Sequence, residues 1–111
     1  MHAQLVIFDG PQSPELLAAA ELADSQRIKP LIDAHPRIRD DIVARYDLRQ
    51  PDGGRAMLIV TGSEATLDAM TELIMTSDLV PGEDPALLPG PSRAERYTVA
   101  EAFVAETAGA R

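Results

Sequence analysis

Hydrophobic and polar positions alternate most regularly over Ile42–Arg49 and Arg55–Thr61, two runs joined by Gln50-Pro51-Asp52-Gly53-Gly54. A period of two predicts extended strands. Pro51 presets φ at the first turn position, Asp52 can bond its own backbone, and the glycines accept positive φ. The pattern therefore predicts a β-hairpin. With Arg49 opposite Arg55, one face carries Ile42, Ala44, Tyr46, Leu48, Ala56, Leu58 and Val60. The other mixes Val43, Arg45, Asp47, Arg49, Arg55, Met57, Ile59 and Thr61. A one-residue slip would exchange the two faces, so the register is well specified.

Elsewhere the pattern changes period. Ala3–Asp9 is a continuous apolar run bounded by Gly10-Pro11, which predicts a central strand buried on both faces. Ser13-Pro14-Glu15 combines a hydroxyl cap, a proline at the first helical position and an acid in the first turn. The helix it starts has an apolar stripe of Leu16, Ala20 and Ala23, continued by Ile28, Leu31 and Ile32. Pro30 is expected to end or kink it near Lys29. Ser63 caps a second helix, with Leu67, Met70 and Ile74 inward and Glu64, Asp68 and Glu72 outward. Leu79–Ser92 holds four prolines and two glycines and predicts a long stiff loop, a lid or an arm that packs on a partner subunit. Arg96–Ala105 predicts the last strand, with Tyr97, Val99 and Phe103 on one face, and residues 106–111 a fraying tail.

This order, βαββαβ, is the split βαβ pattern of ferredoxin-like domains. It predicts one α+β domain over residues 1–111, a four-stranded antiparallel sheet with two helices on one face. Two helices leave the other face bare. An apolar sheet face without cover marks an interface or a binding site, so a homodimer joined through the sheet faces is expected.

Composition narrows the function classes. The chain has 111 residues, a net charge of −8 and no cysteine. The negative charge disfavours phosphate-backbone ligands, so nucleic acid is not an expected partner, nor is an anionic membrane. Absence of cysteine removes disulfides, thiolate metal sites and thiol nucleophiles. No apolar run reaches the length of a membrane span and no signal-peptide pattern opens the chain, so a cytoplasmic protein is expected. No metal is expected, because two histidines without neighbouring carboxylate spacing form no recognisable metal motif, and no cofactor is expected either.

Tyr46-Asp47-Leu48, the turn Gln50–Gly54, Arg55–Val60 and Ser63–Asp68 together resemble the dimeric α/β-barrel superfamily, most nearly its antibiotic-biosynthesis-monooxygenase-like branch. The resemblance implies two sheets facing each other in a homodimer, enclosing a cavity for a small apolar or aromatic molecule. It implies activities drawn from cofactor-free oxygenases, isomerases and cyclases, and proteins without known activity. The Glu-any-Trp that typically ends the third strand in that branch falls here on Val60, Thr61 and Gly62, and the chain has no Asn or Trp.

Candidate chemistry is correspondingly sparse. His35, before Pro36, is a candidate general base, although a histidine at a helix end also caps carbonyls. Tyr46 is either a cavity hydroxyl that orients a substrate carbonyl or an ordinary sheet aromatic. Tyr97 is a packing residue or a cavity wall. Amphipathicity alone would put the Tyr46–Leu58 face under the helices, whereas the resemblance puts it in the cavity; the resemblance is followed here. Tyr46 and His35 are then the candidate catalytic pair, and Tyr46, Leu58, Val60 and Tyr97 the candidate substrate contacts. The leading expectation is an enzyme or binder acting on an apolar, aromatic or polyketide-like compound. The alternative is a non-catalytic homodimeric module with a filled barrel. Arg45 and Asp47 read as a solvated edge-strand pair, and Glu83-Asp84 as a solvated acidic loop.

Overall fold

The computed structural model describes residues 1–105, so the expectation for the 106–111 tail lies outside the described residues. Strands β1 (His2–Phe8), β2 (Ile42–Arg49), β3 (Arg55–Thr61) and β4 (Arg93–Thr98) form one sheet in the order β2-β3-β1-β4. Every neighbouring pair is antiparallel. Helices α1 (Pro14–Ala23), α2 (Lys29–Asp33), α3 (Pro36–Arg39) and α4 (Glu64–Met75) lie on one face. This is the ferredoxin-like α+β arrangement. The hairpin has the expected strand bounds and Arg49 stands opposite Arg55. Its turn closes with Gly53 N–H donating to Gln50 O at 2.9 Å and Gly54 N–H to the Asp52 carboxylate at 2.8 Å. Gly53 sits at φ +92°, where a side chain would be strained.

The core lies between α3, α4 and the mixed face of the sheet. Ile38, Ile59, Leu67 and Met70 are buried together, with Ile42 and Met57 packed against them. Ser63 caps α4 as expected, its hydroxyl accepting from Thr66 N–H at 3.4 Å. Asp41 locks the same corner. Its carboxylate accepts from Ser63 N–H at 3.0 Å and from the Thr66 hydroxyl at 2.5 Å. These bonds, that of Thr66 foremost, hold its pKa below the usual range against the opposing effect of burial.

Four local expectations are corrected. Ile42 turns to the helix side, because a bulge at Val43 shifts the β2 register between Ile42 and Ala44. Of the two outcomes expected at Pro30, an end or a kink, the helix does not end there but changes its winding just before it. A π-turn, Asp24–Ile28, widens the backbone so that Lys29 N–H reaches Asp24 O five residues back, and the chain continues into α2. The wider turn accommodates a ring that would crowd an α-helical carbonyl. The last strand starts at Arg93 and ends at Thr98, and Phe103 is exposed beyond it. Finally, Arg45 pairs with Asp24 across the sheet–helix gap at 2.6 Å, while Asp47 takes two bonds from Arg49 at 3.1 and 3.0 Å.

Candidate functional site: the open sheet face and the helix-side cleft

Strand register decides which side chains share the uncovered face. Tyr46 stands opposite Leu58, Leu58 opposite Leu5, and Leu5 opposite Glu95. One row along, Ala44, Val60, Ala3 and Tyr97 cross the sheet in the same way. Ile59 and Met57, on the other parity, are under the helices. Tyr46, Leu58, Val60 and Tyr97 therefore share the open face, which is the face the resemblance assigned to the cavity and not the one amphipathicity alone would choose. Tyr46 and Tyr97 are 53% and 49% exposed, and Leu48 is 43% exposed. The face spans about 14 Å between the two tyrosine-bearing edge strands, at roughly 4.8 Å per strand step.

Glu95, half-buried on this face two residues from Tyr97, escaped the sequence reading. Its strand is polar and short, so no periodic signal announced it. Burial first, and then the Glu95 carboxylate, push the Tyr97 phenol above its ordinary pKa. At neutral pH Tyr97 is thus a neutral donor beside an acceptor.

The structure does not bring His35 to Tyr46. His35 lies between α2 and α3 in the helical layer, on the far side of the sheet. Its Nδ1 is 2.8 Å from Leu31 O, and since a carbonyl only accepts, Nδ1 carries the hydrogen. The ring therefore caps α2, the capping role weighed beside catalysis from the sequence. The candidate catalytic pair is separated within the chain.

The long loop is also not a free arm. Its one regular piece is a single 3₁₀ turn at Pro85–Leu87. Glu83 has no exposed side-chain surface, which corrects the reading of a solvated acidic loop. Its two oxygens take bonds from Arg27 Nε at 3.1 and 2.9 Å, and Val80 N–H donates to it at 2.8 Å. Arg27 Nη1 also donates to the Ser77 hydroxyl at 2.8 Å. The loop thus docks on the π-turn of its own chain and walls a cleft against α1. Among the described residues, no group of three or more His, Asp or Glu side chains gathers as metal ligands. Nor is any helix there long and apolar enough to cross a membrane.

No family model matches the sequence, and no curated protein does. Among solved structures, the chain is similar to a dimeric ferredoxin-like protein from an uncultured marine organism. The TM-score is 0.65 at 12% identity, covering 95% of this chain and 92% of that one. The likeness runs through the whole domain, and the chain has the ferredoxin-like fold.

Proposed function

We propose that the protein is a homodimeric small-molecule binder in which two open sheet faces oppose each other around a cavity for an apolar, aromatic carbonyl compound. The carrying observation is the composition of that face: Leu5, Ile7, Leu48, Leu58 and Val60 surround two tyrosines, and no helix among the described residues covers them. Four strands of six to eight residues make a sheet face of roughly 400 Å2 in projection, a size at which apolar patches on single chains usually serve contact. The dimeric state of the structural neighbour supports the same assembly here. The resemblance of the hairpin to the antibiotic-biosynthesis-monooxygenase-like branch supports the ligand class proposed, with Tyr46 as the hydrogen-bond donor to the ligand carbonyl.

The position of His35 favours binding over catalysis. With its Nδ1 engaged by Leu31 O and the sheet between it and Tyr46, it has no path to a proton on the open face. The non-catalytic module with a filled barrel is the second reading, supported by the same aliphatic side chains, which can interdigitate across a two-fold axis.

Titration calorimetry with 1,4-naphthoquinone separates the two, and the absence of cysteine prevents thiol addition to the probe. The binder reading predicts saturable binding that weakens about fivefold in Tyr46→Phe, the worth of one neutral hydrogen bond of about 1 kcal/mol. Equal affinity in the variant removes Tyr46 from the site, and absence of binding supports the filled barrel.

A further inference from the structure

The apolar stripe of α1 does not close on the sheet. Leu16 and Ala20, with Phe8, Ile28, Ile74 and Leu88, line a cleft of about 500 Å3 between α1, the end of the sheet and the 87–92 segment. That volume suits a small organic molecule. The cleft is on the helix side, away from the face that carries Tyr46.

Arg55 borders this cleft from the first position of β3. Its side chain is only 10% exposed. Its guanidinium carbon stands 4.5 Å from the centroid of the Phe8 ring. Its Nε is buried with no hydrogen-bond partner among the described residues. The Asp47 carboxylate approaches this nitrogen only to 3.7 Å, and both its oxygens already accept from Arg49. The other cation beside the cleft, Arg27, is neutralised by Glu83. Asp9, at the rim, is exposed and lies 3.7 Å from Arg93. Arg55 is therefore a charge that the fold removes from water without giving it a matched anion, an arrangement that costs free energy unless a ligand compensates. Its pKa is drawn down by burial, as expected of a cation short of partners, though a guanidinium stays protonated.

The geometry points to this cleft as a binding site for an apolar monocarboxylate, its carboxylate paired with the Arg55 guanidinium and its hydrocarbon lying along Leu16 and Ala20. A guanidinium offers two parallel N–H donors that match a carboxylate, and the walls offer nothing to a second charged group. The site does not depend on dimerisation or on the open face.

Titration calorimetry of the full chain with sodium octanoate and with 1-octanol tests this. The same chain length with and without the carboxylate isolates the contribution of Arg55. Octanoate is expected to saturate at one per chain, and octanol to bind at least tenfold more weakly. Arg55→Met is expected to lose that preference, Arg55→Lys to keep part of it, and Ala20→Phe, which fills the cleft while leaving Arg55, to weaken octanoate at least tenfold. Tyr46→Phe, whatever its effect at the open face, is expected to leave the octanoate affinity unchanged. Octanol binding as tightly as octanoate in the unmodified chain overturns the proposal. So does undiminished octanoate binding in Arg55→Met or in Ala20→Phe, or its loss in Tyr46→Phe. If circular dichroism shows Arg55→Met unfolded, Ala20→Phe and the octanoate-to-octanol ratio decide.

Discussion

Glu83→Gln tests whether the long loop is held by one buried ion pair. The substitution keeps the shape of the side chain and removes its charge. One amide oxygen can still accept from Val80 N–H, but the amide nitrogen has no lone pair to offer Arg27, which is left 11% exposed and without its anion. Breaking a buried pair from one side costs about 3–5 kcal/mol. Here the Arg27 side chain keeps 11% of its surface exposed, so solvent polarisation is felt close by. Screening brings the cost below that range, to about 2–3 kcal/mol. With a urea dependence of roughly 1.5 kcal/mol per molar, the midpoint falls by about 1.3–2 M, and the thermal midpoint by roughly 10 °C.

The pH dependence carries an independent sign. The Arg27 bond, opposed by burial, holds the Glu83 pKa below its ordinary value. A lowered folded-state pKa contributes stability above the unfolded-state value, roughly 4.3, and that contribution disappears as pH falls through the folded value. The difference between the two proteins is therefore full at pH 7 and narrows on acidification. Urea unfolding followed by far-ultraviolet circular dichroism, at one protomer concentration throughout, measures both. A loss below about 0.5 kcal/mol at pH 7 would place the pair among ordinary surface ion pairs and refute the anchoring argument.

The corner held by Asp41 makes a related prediction. Asp41→Ala removes the acceptor shared by Ser63 and Thr66, so hydrogen exchange of the first-turn α4 amides should accelerate relative to the β1–β3 ladder; equal protection in both proteins contradicts it. As its folded pKa is lowered, the stabilising effect of Asp41 exists above the unfolded value and fades in acid, so the two proteins converge at low pH. On the open face, Leu58→Asp places a charge where the partner sheet is expected, and size-exclusion chromatography should show dissociation or unfolding; an unchanged elution volume argues that the face is free.

The hairpin and α4 were legible because local chemistry and periodicity agree there: the Pro51-Asp52-Gly53-Gly54 turn, the Ser63 cap and the Leu67–Met70 spacing all require the same structure. The misreadings have physical origins. The bulge at Val43 inserts one residue into an unbroken alternation, so nothing in the pattern marks where Ile42 changes sides. Arg93-Ala94-Glu95-Arg96 is an edge strand almost without apolar signal, whereas Val99–Phe103 carries signal and forms no strand. Pro30 reads as a stop or a kink, and the π-turn that lets the helix run past it leaves no sequence mark. The burial of Glu83, and the lack of a hydrogen-bond partner for Arg55 Nε among the described residues, depend on residues 56 and 8 positions away, Arg27 and Asp47, and no local rule reaches that far. His35 was visible as a residue type, but only the fold shows that its ring caps a helix.

If the open sheet face is the contact between two copies, the protein is a dimer in solution. Sedimentation equilibrium at micromolar protomer concentration measures this directly. A single species of twice the 11.9 kDa chain mass is expected, shifted towards the chain mass by Leu58→Asp. A stable species of the chain mass with full secondary structure would contradict it.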